Sequence, residues 1–307
     1  MKYQVSTPVR AILVPLDGST RAECALPVAE RLASALGSTL LLVRISEPSQ
    51  PLGVLASEIV LSQTYQELSA IEDEVVHEYL AHIAAAIRGH GIERVATRAL
   101  RGQPALALLA LVSSRRADLV VMASHGYGGV QRALFGSVTD RLIRHGTVPV
   151  LVVRPEGDER RYLGLTRALV PLDGSAVADT ALGVARLLAG PLLRHITLAR
   201  VVNPELPATE RASAQRYLAV THAAVAAAMS ERGCVVDDVL LVGDEAEQIL
   251  EQAHKDYDMI ILCTHGRSGP QRWLLGSVAE GVVHGASIPT LLLPAPKAAV
   301  LKQDATG

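Results

Sequence analysis

The feature that most constrains the fold of this chain is an internal repeat. The heptapeptide Leu-Val-Pro-Leu-Asp-Gly-Ser at residues 13–19 recurs unchanged at residues 169–175. A second block, DLVVMASHGYGGVQRALFGSV at residues 118–138, returns as DMIILCTHGRSGPQRWLLGSV at residues 258–278. Because one copy is long enough to hold several complete elements, the repeat indicates a duplicated domain and not a solenoid unit.

The length of the chain agrees with two copies. At about 150 residues per domain, 307 residues predict two domains, which we place at residues 1–155 and 165–296, with a polar linker at 156–164 and a tail at 297–307. The first pair of blocks is offset by 156 residues and the second by 140, so copy two is 16 residues shorter between them. We expect most of the extra length of copy one to follow its second strand, at residues 47–64.

Short apolar runs alternate with stretches of helical spacing in both copies. Strands are predicted at residues 11–16, 39–45, 94–100, 119–123 and 148–153, and again at residues 168–172, 196–202, 235–242, 259–264 and 290–293. Helices are predicted at residues 21–36, 68–87 and 105–112, the first with a kink at Pro27. Strands alternating with helices predict right-handed crossovers. The fold class is therefore α/β, with two tandem doubly wound, Rossmann-like domains, each a five-stranded, mostly parallel sheet flanked by helices.

Composition excludes several classes of function. Lys plus Arg is 29 and Asp plus Glu is 31, a net charge of −2 without a basic block, and aromatic residues make up 3%; nucleic acid is therefore not an expected partner. The cysteines Cys24, Cys234 and Cys263 are too widely separated to indicate a zinc site or a disulfide framework. Because no apolar run reaches membrane-spanning length and no signal-peptide core begins the chain, we expect no membrane partner and a cytoplasmic location.

The first repeated motif places a carboxylate where α/β sheets bind ligands, beyond the carboxyl ends of the strands. Asp17 follows the first predicted strand and precedes a helix that Ser19 or Thr20 would cap, and Asp173 takes the same place in copy two. A turn followed by a helix cap accounts for Asp-Gly-Ser equally well. This motif alone leaves both interpretations open.

The second motif favours an anion site. A glycine-rich stretch at residues 124–129 can form a concavity of backbone N–H groups, and Gly136-Ser137 opens a further helix. Ser137 to Asp140, and Ser277 to Glu280 in copy two, match the capping-box pattern. Neither the P-loop nor the GxGxxG dinucleotide fingerprint is present, which excludes the standard NTPase and dehydrogenase interpretations.

These motifs together resemble the universal stress protein family in its tandem two-domain form. The resemblance rests on strand-PLDGS, on HGxxG, on the nine residues between that glycine and Gly-Ser, and on the final TVPVLVVRP, and it covers about residues 8–154 and 165–295. It implies an adenine nucleotide alpha hydrolase-like fold. Members similar to this chain bind ATP through the pattern G-x2-G-x9-G-(S/T), whereas members without the pattern bind no nucleotide.

The pattern is incomplete here, because Ala123 and Cys263 replace its first glycine. Both are small, and the larger sulfur makes copy two the weaker candidate. The resemblance implies that the first-strand aspartate and the end of the second strand face adenine and ribose, and that the loop and the Gly-Ser helix face the phosphates. In copy one the expected site residues are Pro15, Leu16, Asp17, Ser19, Ile45, Ala123, Ser124, His125, Gly126, Gly129, Arg132, Gly136, Ser137, Val138 and Thr139. In copy two they are Pro171, Leu172, Asp173, Ser175, Val201, Cys263, Thr264, His265, Gly266, Gly269, Arg272, Gly276, Ser277 and Val278.

Other side chains near these motifs have weaker assignments. His125 and His265 are interpreted as shaping the loop, because no nucleophile with a base stands around them in the sequence. Arg132 and Arg272 could clamp phosphates or equally form surface or interface ion pairs. The arginines just before Ile45 and Val201 have no assigned role, and we assign no catalytic residue and no protein metal ligand.

The leading functional hypothesis is a stress-response regulatory protein that binds ATP, ADP or AMP, with or without Mg²⁺, in one or both domains. The alternative is a nucleotide-free scaffold acting through protein contacts, and the third is a slow ATP hydrolase. We also expect the apolar last strands, at residues 148–153 and 288–293, to pair and join the halves as an intramolecular pseudo-dimer. Further homodimerisation is left open.

Overall fold

The computed structural model describes residues 9–47, 58–124, 136–155, 164–264 and 275–294, with residues 58–68 as helical backbone only. In copy one the elements are β1 (Ala11–Leu16), α1 (Thr20–Glu23), α2 (Leu26–Leu36), β2 (Thr39–Ser46), α3 (Glu58–Gly89), β3 (Val95–Arg101), α4 (Pro104–Ser113), β4 (Leu119–Ala123), α5 (Ser137–His145) and β5 (Val150–Val153). In copy two they are β6 (Arg167–Pro171), α6 (Asp179–Leu188), β7 (His195–Val202), α7 (Ala208–Met229), a 3₁₀ turn (Ser230–Arg232), β8 (Val235–Val242), α8 (Glu245–Asp256), β9 (Met259–Cys263), α9 (Ser277–Gly285) and β10 (Thr290–Leu293).

The ten strands form one sheet in the order β3-β2-β1-β4-β5-β10-β9-β6-β7-β8. All neighbours within a copy are parallel, which confirms the predicted fold class. In both copies the chain runs outward from the first strand and then returns to its other side, so the order reverses between β1 and β4 and between β6 and β9. Ligand sites in such sheets lie at this reversal.

The two halves join through their last strands, as predicted. β5 and β10 pair antiparallel with Leu151 opposite Leu291, and both leucines are almost fully buried. Arg154, just after β5, donates hydrogen bonds to the carbonyl oxygens of Val283 and His284 at the end of α9. Pairing these strands removes an apolar edge from each half.

The core lies in two layers, one on each face of the sheet. Side chains of α2, α3, α6 and α7 cover one face, and those of α4, α5, α8 and α9 cover the other. Successive strand residues alternate between the layers, with Val14 in the first and Leu13 in the second, both fully buried. Burial on both faces explains why the strands read as continuous apolar runs.

The extra length of copy one lies where the sequence placed it. There are 48 residues between β2 and β3 but 32 between β7 and β8, which accounts for the whole 16-residue difference. Part of the insertion lengthens α3, which has 32 residues against 22 in α7 and begins well before the predicted residue 68. No helix in the described ranges is both long enough and apolar enough to cross a membrane.

Several predicted element boundaries differ from the structure, most of them by one or two residues. The helix expected at residues 21–36 is broken into α1 and α2, and Pro27 lies in the first turn of α2, where a missing N–H leaves no helix bond unmade. β5 begins at Val150 and not at residue 148, because Pro149 has no N–H to donate to a neighbouring strand. The described part of β9 ends at Cys263, one residue early.

The predicted capping boxes at Ser137 and Ser277 are wrong. Gly136 and Gly276 are the N-cap residues, with extended backbone angles (φ −61° and ψ 147° at Gly136), and each serine is already the first helical residue. A capping side chain must come from the extended residue, and glycine has none. The first N–H groups of α5 and α9 therefore receive no cap from any side chain that the structure describes.

Candidate functional site

A cavity of about 320 Å³ opens at the carboxyl edge of the sheet in copy two, at the reversal between β6 and β9. Nine residues predicted from the sequence line it: Pro171, Leu172, Asp173, Val201, Cys263, Thr264, Gly276, Ser277 and Val278. They come from the ends of three strands and from the start of α9. The fold therefore brings together in space residues that are up to 107 positions apart in the sequence.

Part of the predicted site lies outside the described residues. These positions are His125, Gly126, Gly129 and Arg132 in copy one and His265, Gly266, Gly269 and Arg272 in copy two. Ser175 is described and caps the turn before α6, where its hydroxyl accepts a hydrogen bond from the N–H of Ala178 at 3.1 Å.

One end of the cavity is formed by the first turn of α9. The N–H of Gly276 donates to the carbonyl oxygen of Thr264 at 2.8 Å, which fixes the start of the helix against the end of β9. Gly276, Ser277, Val278 and Ala279 then line the cavity. A helix start without a side-chain cap presents unpaired N–H groups and the positive end of the helix dipole. This end of the cavity is suited to an anion.

The matching helix start in copy one is anchored in the same way. The N–H of Gly136 donates to the carbonyl oxygen of Ser124 at 3.0 Å, at the end of β4. Thr139, predicted as a ligand contact, is buried, and its hydroxyl donates to the carbonyl oxygens of Ala123 at 3.2 Å and Ser124 at 3.3 Å. These bonds tie α5 to β4 and give Thr139 a structural role.

The first-strand aspartates order the turn that follows each strand. Oδ1 of Asp17 accepts hydrogen bonds from the N–H of Ser19 at 2.9 Å and from its hydroxyl at 2.6 Å. Ser19 is the N-cap of α1, as predicted, and accepts from the N–H of Ala22 at 3.1 Å. In copy two Asp173 accepts from the N–H of Ser175 at 2.9 Å and also lines the cavity. Asp173 therefore both orders the turn and lines the cavity, so the two interpretations of the Asp-Gly-Ser motif do not exclude each other.

The arginines left unassigned by the sequence lie beside these turns. Arg200 lines the cavity and donates to the carbonyl oxygen of Leu172 at 3.0 Å. In copy one the guanidinium of Arg44 lies over Gly18, only 2.9 Å from where a Cβ would be, and Gly18 has a φ of +86°. The left-handed φ favours glycine at this position, and any side chain there would also displace the guanidinium of Arg44. The sequence signal for these contacts was a charged residue in an otherwise apolar strand, at the same place in both copies.

A tyrosine pairs with an acidic residue of the first helix in each copy. The hydroxyl of Tyr79 donates to Glu23 at 2.8 Å, and that of Tyr217 donates to Asp179 at 2.9 Å. Burial, followed by the bond to Asp179, raises the pKa of Tyr217 to about 12, so the phenol is a neutral donor at physiological pH. Tyr79 also stacks under Arg44, with 4.8 Å from the guanidinium carbon to the ring centroid. These hydrogen bonds tie α3 to α1 and α7 to α6.

Cys263 faces α6 as well as the cavity. Its Sγ donates to the carbonyl oxygen of Val177 at 3.0 Å and lies 2.8 Å from the hydroxyl of Thr180. Burial, the largest cause, raises the pKa of the Cys263 thiol to about 11. The group is therefore a thiol at neutral pH and a poor nucleophile.

Seven cavity residues were missed by sequence reasoning: Ala178, Ala199, Arg200, Glu245, Ile249, Leu262 and Ala279. Most are apolar residues whose strand or helix pattern predicts core packing and nothing more. Glu245 is different, because it is charged, exposed and the first residue of α8. Its sequence signal was its position three residues after the end of a predicted strand, at Val242.

Comparisons with known proteins agree with this architecture. The model of the Universal stress protein family matches residues 8–154 and again residues 164–294. The chain belongs to the universal stress protein family. The resemblance drawn from the PLDGS and HGxxG motifs is thereby confirmed, in its tandem form.

Individual relatives match to different extents. A universal stress protein of Mycobacterium tuberculosis is 30% identical over 187 residues, which is 58% of this chain and 62% of the relative, less than two thirds of its length. One from Mycolicibacterium smegmatis is 26% identical over 293 residues, which is 92% of this chain and 96% of the relative. The crystal structure of a universal stress protein from Archaeoglobus fulgidus matches with a TM-score of 0.67 at 20% identity, over 93% of this chain and 96% of that one. This last likeness supports the fold.

Proposed function

We propose that this universal stress protein binds an adenine nucleotide (ATP, ADP or AMP) at the carboxyl edge of its sheet and acts in stress-response regulation through that occupancy. One site is assigned to each of the domains at residues 1–155 and 165–296. The observation that carries the proposal is the cavity of copy two, which is lined by the uncapped start of α9, by the carboxylate of Asp173 and by apolar side chains.

The residues present fit such a ligand. Leu172, Val201, Ile249 and Leu262 supply apolar surface for a base. Asp173 supplies an acceptor for ribose hydroxyl groups, as the family resemblance implies. The first turn of α9 supplies N–H donors for phosphate oxygens. A cavity of about 320 Å³ is within the usual size range of small-molecule sites.

A nucleotide-free scaffold is the second candidate. It is favoured by Ala123 and Cys263, which stand where the family's nucleotide-binding pattern has glycine. Such a protein would act through protein contacts on the pseudo-dimer that β5 and β10 join. A slow ATP hydrolase is the third candidate, and its test is the same preparation assayed for phosphate release.

Two measurements on the full chain separate the candidates. Mass spectrometry of small molecules released on denaturation would identify a co-purified nucleotide, and calorimetric titration with ATP would give the affinity and the number of sites. We expect ATP binding that Gly136→Val and Gly276→Val each reduce by one site, while Glu247→Gln, an exposed change on α8, has no effect. A folded chain that neither retains nor binds adenine nucleotide would establish the scaffold.

The two sites are expected to differ in affinity. Gly128-Gly129 and Ala123 allow a closer approach of the backbone to the ligand in copy one than Ser268-Gly269 and Cys263 allow in copy two. Gly276→Val should therefore leave the tighter site intact, and Gly136→Val the weaker one. Tighter binding by the chain that carries Gly136→Val would reverse this ranking.

A further inference from the structure

We propose that Glu245 makes the site of copy two selective for nucleotides whose base carries an exocyclic amine, and that copy one lacks this selection because Pro104 takes the place of Glu245. This inference rests on the proposed nucleotide function. It assigns base selectivity to a residue outside both repeated motifs.

The strand order places Glu245 far from the anion end of the cavity. Glu245 follows β8, whereas Gly276 and Ser277 follow β9, and β7 and β6 lie between these two strands. Glu245 nevertheless lines the same cavity as α9. A nucleotide with its phosphates on the first turn of α9 therefore directs its base towards the start of α8.

The two copies have the same backbone at this turn and differ in the side chain. In copy two Gly243, with a φ of +145°, is followed by the extended N-cap Asp244 and then by Glu245. In copy one Gly102, with a φ of +132°, is followed by the extended N-cap Gln103 and then by Pro104. The first helical residue is therefore an acid in one site and an apolar ring in the other.

The charged residues that line the cavity differ in the hydrogen bonds that they make within the protein. Arg200 donates to the carbonyl oxygen of Leu172, and Asp173 accepts from the N–H of Ser175. Asp244, which precedes Glu245 but does not line the cavity, uses its carboxylate to cap α8, accepting from the N–H of Glu247 at 3.0 Å. Within the described ranges Glu245 makes no hydrogen bond or ion pair, so its carboxylate is available at the cavity mouth.

A carboxylate is an acceptor only, and this determines which base it selects. The 6-amino group of adenine donates hydrogen bonds and pairs with a carboxylate. The 6-oxo group of hypoxanthine is an acceptor and is repelled by it. A site that pairs with a donor disfavours an analogue that presents an acceptor in the same place, because the two acceptors cannot hydrogen-bond to each other.

The test compares ATP with inosine triphosphate, which presents an acceptor oxygen in place of the donor amine at position 6 and an N–H donor in place of the ring acceptor at position 1. Calorimetric titration of the full chain with Gly136→Val isolates copy two, and Glu245→Gln is compared with Glu247→Gln on the same helix turn. We expect Glu245→Gln to lower the ATP-to-ITP affinity ratio about tenfold, because an amide can also donate to the 6-oxo group, and Glu247→Gln to leave it unchanged.

A second variant tests the converse in copy one. Pro104→Glu, in the chain with Gly276→Val, should raise the ATP-to-ITP ratio by a similar factor. Circular dichroism shows whether Gly136→Val and Gly276→Val fold. If either does not, Glu245→Gln, Glu247→Gln and Pro104→Glu are each made alone in the full chain, and the ATP-to-ITP ratio of each site is taken from a two-site titration.

The outcomes separate the two proposals. ATP binding with equal ratios for Glu245→Gln and Glu247→Gln overturns the base selectivity and leaves the nucleotide function standing. Absence of binding to both ATP and ITP in the unchanged chain overturns the nucleotide function, and the selectivity with it.

Discussion

Replacing single serines tests which of the repeated serines hold the structure together. Ser19, Ser175 and Ser137 all stand at the start of a helix in the sequence, yet the structure gives them different bonds. The hydroxyl of Ser19 is buried, caps α1 through the N–H of Ala22 and donates to Asp17. The hydroxyl of Ser175 has the bond from Ala178, and Ser137 is a first helical residue without a capping bond.

The magnitudes follow from these bonds. Loss of an N-cap costs about 1 kcal/mol, and loss of a hydrogen bond to a carboxylate costs about 1.5 kcal/mol or more. Ser19→Ala loses both and should lower the free energy of unfolding by about 2–3 kcal/mol. Ser175→Ala loses one hydrogen bond in the turn before α6 and should cost about 1 kcal/mol, whereas Ser137→Ala should stay within about 0.5 kcal/mol.

The assay is equilibrium unfolding in urea, followed by far-ultraviolet circular dichroism, with the slopes of the transitions compared among the variants. The order Ser19→Ala, Ser175→Ala, Ser137→Ala carries the test, because it depends on the hydrogen bonds and not on the shared residue type. A loss of stability for Ser137→Ala equal to that for Ser19→Ala would refute the assignment of Gly136 as the N-cap of α5.

Two further predictions concern Cys263 and the seam between the halves. Because burial raises the pKa of the Cys263 thiol to about 11, its alkylation by iodoacetamide in the native chain should keep accelerating as the pH rises past about 9. The rate is measured by peptide mass spectrometry. A rate that reaches a plateau by about pH 9 would contradict the burial argument. Leu151→Ala at the β5–β10 seam should lower the free energy of unfolding by about 2–5 kcal/mol, since Leu151 is 1% exposed, whereas Leu106→Ala, at 54% exposed, should cost far less in the same urea titration.

The central strands could be predicted from the sequence because nearly all of their residues are buried. β4 and β9 are buried on both faces, so a continuous apolar run was sufficient to identify them. The exact helix starts could not be predicted in this way, because the patterns Ser-x-x-Asp and Ser-x-x-Glu are the same whether the serine is the N-cap or the residue after it. Only the backbone angles of Gly136 and Gly276 decide between these two arrangements.

Repetition in the sequence did not separate structural from functional residues. Each second block begins with an aspartate, and Oδ2 of Asp118 accepts from the N–H groups of Arg10 at 2.8 Å and Ala11 at 3.1 Å. Asp258 likewise accepts from the N–H groups of Thr166 at 2.6 Å and Arg167 at 2.9 Å. These carboxylates fix the start of the fourth strand of each copy beside the first strand, at the edge of the sheet opposite the cavity.

The differences between the copies are more informative about function than their identities. Among the positions of the candidate sites that differ are Ala123 against Cys263, Thr139 against Ala279, and Pro104 against Glu245. The first two lie at the end of the fourth strand and on the Gly-Ser helix, and they alter packing near the phosphate end without adding charge. The third adds a carboxylate at the base end. Since both copies anchor the Gly-Ser helix by the same backbone bond, they should share the way they hold phosphate and diverge in the base they accept.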